Sequence, residues 1–556
     1  MYNSFFTTSF ELFSQPLPSF QSFKPLFFSL YDDSFPLESS TIKSMIYTTS
    51  GTSTLTNDAL SLFVFFNENL LSLTACFILI FILSKLYSRA ITSNLTTQIL
   101  MLIKRVFFVN IIYISLYYVI RLTLLYLVPH YYQTKHWIAP AVHSFFVNNQ
   151  QVFFSVTISF FVIFLFITLH SFLVIKENSS EISPEVPVLT FLVACFSLIL
   201  LEVTDFGLFI VCLEGFSLTL YILASSGRTY GGVSASIKYF VFGTLGSILL
   251  YWGGLGIFEL SSTMRLEVIK ELTETYSGNS ASSANVYSNL IWTQNFILLG
   301  FLIKLGAAPL HQWIADVYSG VPLFITAFYA TFVKLVLFIL FLQFGVNFIS
   351  AKEIEYAALL SLVVGCFGAL RQVEIKRFLA YSSITHTGYL LMGDLASAYI
   401  YLITYVFASV LFFSVLLNFS VNSREFVYLS DLRYIGQSNQ LARASLVISL
   451  ASMAGLPPFA GFYGKMTVWV SLIEDIYLFN DVWSYILFTA NILISLISMF
   501  YYAQVMCILF INNESIDHAV VVSNKVSATF QLCAVVGLTL WTFLMPHIFT
   551  GLLVTI

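Results

Sequence analysis

Long apolar runs recur along almost the whole chain, and nothing else restricts its fold so severely. A helix that spans a bilayer needs about 20 mainly apolar residues. About fourteen segments meet that rule: near 61–87, 100–128, 151–175, 186–203, 205–225, 232–259, 289–308, 323–345, 355–371, 376–394, 396–420, 441–473, 483–511 and 525–553. Their length and continuity exclude a transmembrane β-barrel, whose strands are short and alternate apolar with polar residues. With 58% hydrophobic and 9% charged residues over 556 positions, no water-soluble core could absorb this much apolar surface. The expected fold class is therefore an all-α polytopic membrane protein.

The segments near 186–203 and 205–225 are divided only by the polar signal of Glu202 and Asp205. Residues 1–57 are rich in Ser, Thr, Phe and Pro, with no arginine and no compact apolar stretch. They match neither a transit peptide nor a signal peptide, so they read as a retained extension, which fits synthesis inside the organelle or cell that uses the protein. A net charge of −4 leaves acids and bases nearly balanced, which suggests neither nucleic acid nor an acidic soluble partner. Six scattered cysteines (Cys76, Cys195, Cys212, Cys366, Cys507 and Cys533) lack metal-site or disulfide spacing and read as small core residues. Loop bases such as Lys85, Arg89, Lys104, Arg371, Lys376, Arg377, Arg433 and Arg443 fall on one face. Their excess puts both termini on the opposite, outer face. No phosphate loop, catalytic triad, haem motif or iron–sulfur cysteine cluster is present, so redox chemistry is not expected on this chain.

Five bases fall inside the apolar segments: Arg121, Lys238, Lys304, Lys334 and Lys465. An ionisable group at membrane depth costs a few kcal/mol or more unless paired or hydrated, so each is a candidate functional residue. Arg121 and Lys238 lie near helix ends, where a long side chain can snorkel to the interface. Lys334, in "ITAFYATFVKLVLFILFL", lies near mid-helix and cannot. The negative counterpart is Glu214 in "DFGLFIVCLEGFSLTLYIL", which calls for a lysine on a neighbouring helix. A pair that separates and re-forms would tune each member's proton affinity; a static pair would only pin two helices. His386, in "AYSSITHTGYLLMG", suits proton relay, with a satisfied structural histidine as the competing reading, and His311 lies nearer a helix end.

Two stretches place Gly and Pro inside apolar runs with a lysine close by: "GFLIKLGAAPLHQW" (300–313) and "SLASMAGLPPFAGFYGKMTVW" (449–469). Proline in a helix interior removes a backbone hydrogen bond and breaks or kinks the helix. In hydrocarbon such a break survives only when covered by protein or lining a water-filled cavity. Two interrupted segments of this kind point to an internally duplicated transporter with mid-membrane sites.

Taken together, "SASIKYFVFG", "FLIKLGAAPLHQWIADVYSGVP", "ITAFYATFVKL", "GALRQVEIKRFLAYSSITHTGYLL" and "MAGLPPFAGFYGKM" resemble the antiporter-like subunits of respiratory complex I, within them the NADH dehydrogenase subunit 2 family of mitochondria and bacteria. The resemblance implies about fourteen helices: three within 58–178, two inverted five-helix repeats over 186–345 and 355–511, and one in 525–556, with the seventh and twelfth helices broken. It implies a Glu214–Lys304 pair, Lys334 as the connecting lysine of the eighth helix, and Lys465 as the terminal lysine of the twelfth. His386 would lie on the same hydrophilic axis and Lys238 on the sixth helix, all serving proton translocation across the mitochondrial inner membrane. NADH, FMN, iron–sulfur clusters and ubiquinone would then sit on other subunits, with no cofactor or metal on this chain. Implied partners are a neighbouring antiporter-like subunit, small membrane subunits, accessory subunits and lipids, cardiolipin among them. One rival is a subunit of a multi-subunit sodium/proton antiporter, which the mostly lysine axis disfavours because sodium prefers oxygen ligands. Another is a non-pumping scaffold.

Overall fold

The computed structural model describes residues 186–203, 205–227, 229–261, 264, 284–345, 349, 351–421, 426–438, 440–479, 481–511 and 520–522. The expected segments near 61–87, 100–128, 151–175 and 525–553, with Arg121, Cys76 and Cys533, lie outside them. In chain order the helices are α1 (Val186–Glu202), α2 (Phe206–Ser225), α3 (Tyr230–Ser261), α4 (Ala284–Leu305), α5 (Gln312–Gly320) and α6 (Leu323–Gly345). They continue as α7 (Ala351–Ala369), α8 (Ile375–Met392), α9 (Leu395–Asn418), α10 (Leu432–Ser438), α11 (Gln440–Ala454), α12 (Ala460–Phe479) and α13 (Val482–Ile508).

Four of the helix starts follow a carboxylate, three of them in mainly apolar sequence and Glu374 in a charged loop where it also pairs with Arg377 at 3.1 Å. Asp205, Glu374, Asp394 and Asp481 each hold extended backbone immediately before a helix. Their side chains make no cap hydrogen bond, so their contribution is negative charge set against the positive end of the helix dipole. Asp205 thereby separates α1 from α2, as its polarity suggested.

Five of these helices are long and apolar enough to cross a membrane: α2, α3, α6, α9 and α13. Their burial ranks them from centre to rim. The apolar window of α6 is buried throughout and that of α9 almost so, whereas only a third of the windows of α3 and α13 is buried. Glycines set the closest approaches between neighbours. A Cβ on Gly300 of α4 would lie 2.9 Å from the Gly246 carbonyl of α3, and one on Gly388 of α8 would lie 2.8 Å from the Leu362 nitrogen of α7. Small residues at such contacts let apolar helices pack closely in a medium that supplies little hydrophobic drive between them.

Two details depart from the sequence reading. Phe419–Val421 pairs antiparallel with Val520–Val522, a small β element beside the expected all-α fold. The chain leaves α9 extended at Phe419, and the β-branched Val520–Val522 fits the pleat and takes up its backbone hydrogen bonds. Cys195 and Cys366 are buried as expected of core residues, but Cys507 is exposed on α13.

Candidate functional site

Both interrupted stretches end a helix in the same way. At the end of α4, Gly306 takes φ 67°, its N–H donates to the Ile303 carbonyl at 3.1 Å, and the Ala307 N–H donates to the Leu302 carbonyl at 2.9 Å. At the end of α11, Gly455 takes φ 79°, its N–H donates to Ser452 at 3.0 Å, and the Leu456 N–H donates to Ala451 at 3.0 Å. Both are Schellman closures, with glycine where the left-handed conformation spares any Cβ. After each break the chain resumes a helix, α5 or α12. The first break is pinned from outside by the Ser361 hydroxyl of α7, which accepts the Ala308 N–H at 3.0 Å, and by Trp313, whose indole N–H donates to the Ile303 carbonyl at 3.1 Å.

Lys304 lies in the last turn of α4, buried, with Nζ 4.0 Å from Glu214 Oε2 of α2. That distance is the outer limit of an ion pair and too long for a hydrogen bond, and among the described residues the ammonium has no hydrogen-bond partner. Glu214 is one-third exposed, with the Ser217 hydroxyl 3.4 Å from the same oxygen.

Lys334 is buried at the centre of α6, directly after a π-helical turn over Tyr329–Val333, a backbone irregularity frequent at functional sites. Its Nζ donates to the Ser383 carbonyl of α8 and lies over the Tyr405 ring, 5.1 Å from the centroid. That ring stands 4.7 Å from the imidazole of His386. His386 is buried on α8 with Nδ1 2.6 Å from the Tyr401 hydroxyl of α9 and Nε2 2.9 Å from the Tyr502 hydroxyl of α13. Lys465 of α12 reaches back across the second break. Its Nζ donates to the Ala454 carbonyl at 2.7 Å and to the Ser498 hydroxyl at 3.2 Å, and lies 5.1 Å from the centroid of the Tyr389 ring. Gly455 makes that reach possible, because a Cβ there would fall 2.7 Å from Lys465 Cδ.

The structure thus brings Glu214 to Lys304 and Lys334 to His386, with Lys465 on the far side of the same tyrosine-rich core. Among the described residues neither Lys334 nor Lys465 has a carboxylate within ion-pair distance; each is held by neutral oxygens and a ring face. Lys238 stands apart, half-exposed on α3 and paired with Asp316 of α5. His311, in the link between α4 and α5, has Nδ1 3.2 Å from the Pro309 carbonyl and joins none of these contacts.

Sequence reasoning missed Asp316 and the tyrosines. The usable signal was pairing by spacing: Tyr401 and Tyr405 share a helix face at i and i+4, and Tyr501 and Tyr502 adjoin in an otherwise apolar helix. No group of three histidine, cysteine or carboxylate side chains among the described residues is placed to hold a metal ion.

Apolar helices around two Schellman-closed breaks, with buried lysines at and between them, define a helical membrane protein of antiporter-like fold. Residues 203–495 match the NADH:quinone oxidoreductase/Mrp antiporter transmembrane family, and the chain belongs to that family. It is 31% identical over 345 residues to NADH-quinone oxidoreductase subunit N of Granulibacter bethesdensis, covering 60% of this chain and 70% of that one. The subunit N of Pelagibacter ubique is 31% identical over 344 residues, covering 59% and 69%. Among solved structures, a chain of respiratory complex I from Thermus thermophilus superposes with a TM-score of 0.60 at 26% identity, covering 71% of this chain and 85% of that one. A chain of the Mrp complex from Dietzia sp. shares the fold at a TM-score of 0.58 and 16% identity, over 71% and 80%.

Proposed function

We propose that this chain is the subunit 2 (subunit N) type membrane-arm subunit of proton-translocating NADH:ubiquinone oxidoreductase, and that it moves protons along Glu214, Lys304, Lys334, His386 and Lys465. The subunit N relatives and the complex I superposition support membership of that assembly. The observation that carries proton transfer is the bonding of the buried lysines. A buried ammonium held only by carbonyls, hydroxyls and ring faces can lose its proton without leaving an orphaned anion, whereas one locked to a carboxylate at contact distance cannot. Lys304 is the graded case, with its counter-charge 4.0 Å away on a partly exposed side chain that can move. With Glu214 near, the ammonium is favoured; with Glu214 withdrawn or neutralised, burial favours the amine and the proton passes on towards Lys334. Transfer then runs past His386 to Lys465. The two breaks admit the hydrated paths this needs, since irregular backbone at membrane depth lines protein or water.

In the same reading α4–α5 and α11–α12 are the broken seventh and twelfth helices of two inverted repeats, 186–345 and 355–511, a view supported by their matching closures. Lys238 with Asp316 forms a second, more accessible pair that feeds or insulates the axis. The chain lies in the mitochondrial inner membrane with both termini on the intermembrane-space side. Flavin, iron–sulfur clusters and quinone belong to other subunits. Exposed apolar residues along α3 and α13, among them Ile237, Leu245, Trp252, Leu493 and Phe500, supply surface for adjoining membrane subunits and lipid, cardiolipin included.

The test is proton pumping against electron transfer in reconstituted complex carrying Lys304→Ala or Glu214→Ala, with assembly checked in parallel. Loss or strong reduction of pumping in an assembled enzyme is expected. A normal proton-to-electron ratio would remove the lysine from the mechanism and leave a scaffold role.

A further inference from the structure

The proton-translocation reading leaves open how a buried imidazole passes a proton onward. We infer that the Tyr401 and Tyr502 hydroxyls clamp His386 at both ring nitrogens, so that either tautomer keeps both bonds and the three groups together form a two-ended proton relay; this rests on that reading.

The geometry carries the inference. Three helices converge on one ring: α8 supplies His386, α9 supplies Tyr401 to Nδ1 at 2.6 Å, and α13 supplies Tyr502 to Nε2 at 2.9 Å. All three side chains are buried. The chemistry of the two partners decides the consequence. A carbonyl or carboxylate only accepts, so a histidine bonded to one keeps its proton on the nitrogen facing it. A hydroxyl both donates and accepts. With a hydroxyl at each nitrogen, the state in which Nδ1–H donates to Tyr401 and the Tyr502 O–H donates to Nε2 has a mirror image with both bonds reversed, and in each state both ring nitrogens keep a hydrogen bond.

Proton passage then balances without ionising a tyrosine for longer than the transfer. A proton arriving at the Tyr502 oxygen replaces the one its hydroxyl gives to Nε2. The imidazolium releases its Nδ1 proton to the Tyr401 oxygen, and the Tyr401 hydroxyl proton moves on. One proton has entered and one has left, and the ring is in the opposite tautomer; a turn of the imidazole about its side-chain torsions, which breaks and re-makes both hydroxyl bonds, resets it without sending the proton back. The reverse direction is equally balanced.

The surroundings place this clamp between the two deeply buried lysines. On one side the Tyr405 ring separates His386 from Lys334. On the other, Tyr401 packs where Gly464 lacks a side chain, its Cδ2 2.9 Å from where a Cβ would stand, one residue from Lys465. The Tyr401 ring is also 5.5 Å from that of Tyr389, over which Lys465 lies.

The experiment uses intact, reconstituted complex with Tyr401→Phe and Tyr502→Phe, which keep the rings and remove only the hydroxyls. Quinone-coupled turnover, protons moved per electron and the H2O/D2O rate ratio are measured, with electron transfer from NADH to a soluble acceptor as the control for assembly. Each variant is expected to slow coupled turnover several-fold and raise the isotope ratio at unchanged soluble-acceptor rate. Tyr381→Phe on the same helix, whose ring packs against Gly368, is expected to change none of these. Wild-type turnover and isotope ratio in both Phe variants would overturn the inference, as would a slowing that merely tracks lost assembly with the isotope ratio unmoved. If neither Phe variant assembles, His386→Asn decides: its amide takes the place of Nδ1 beside the Tyr401 hydroxyl but cannot pass a proton, so normal pumping overturns the relay. Lys334→Met separates the levels. If it stops pumping while both Phe variants are normal, the clamp alone fails; if it pumps normally, the translocation reading fails with it.

Discussion

The two helix breaks share one backbone design and hold their lysines in opposite ways. At the first, Lys304 precedes the glycine, faces a carboxylate at 4.0 Å and, among the described residues, donates no hydrogen bond. At the second, Lys465 follows the glycine, folds back over it and donates to the freed Ala454 carbonyl and to Ser498. In the first break, Trp313 caps a carbonyl and leaves the lysine free of structural duty. In the second, the lysine is itself the cap. Lys304 is thus set by a movable charge, and Lys465 by fixed neutral dipoles. A site tuned by a counter-charge responds to motion of its neighbour; a site tuned by fixed acceptors keeps its affinity, which in the proposed function suits a terminus.

The largest effect that sharpens this contrast is expected from the glycines. Gly455→Val puts a β-branched residue in the left-handed region and drives Cβ into Lys465, for about 2–5 kcal/mol of lost stability and a misplaced ammonium. Gly306→Ala is strained by the same left-handed backbone and drives Cβ into Ile314 Cδ1, so its melting temperature is also expected to fall, but it spares Lys304, so the coupled activity of enzyme that assembles is expected to survive better. Next come the lysines as structural groups. Lys465→Met strands a buried carbonyl and is expected to cost about 1–3 kcal/mol in thermal or denaturant unfolding of the assembled complex. Lys304→Met strands no hydrogen-bond acceptor and is expected to stay near neutral. Equal losses would erase the distinction between the breaks. Ser498→Ala removes one of two acceptors from Lys465, worth about 0.5–1.5 kcal/mol by the same assay. The smallest effect belongs to Trp313→Phe, about 0.5–1 kcal/mol, because the Ile303 carbonyl keeps the Gly306 N–H.

The breaks were legible because Gly, Pro and Lys inside an apolar run contradict everything around them. The helix start at Asp205 was legible for the same reason, and the rule that a membrane-depth charge needs a partner drew Glu214 and a lysine together. Tyr401, Tyr405 and Tyr502 were not legible, because a tyrosine in an apolar helix reads as one more ring for packing. Only the fold shows three of them converging on Lys334 and His386. Asp316 was hidden differently. It lies in the short α5 after the break, in a stretch too brief to mark as a helix, and its pairing with Lys238 spans 78 positions. The β pair at Phe419–Val421 escaped because three residues leave no periodic signal.

If both breaks carry proton-transferring lysines, whatever their structural duties, pumping needs both. The measurement that tests it most directly is the proton-to-electron ratio of reconstituted complex with Lys304→Met and Lys465→Met, prepared side by side and matched for assembled enzyme. The account predicts that both variants lose coupled pumping, the Lys304 variant without losing stability. A wild-type ratio in either one would contradict it.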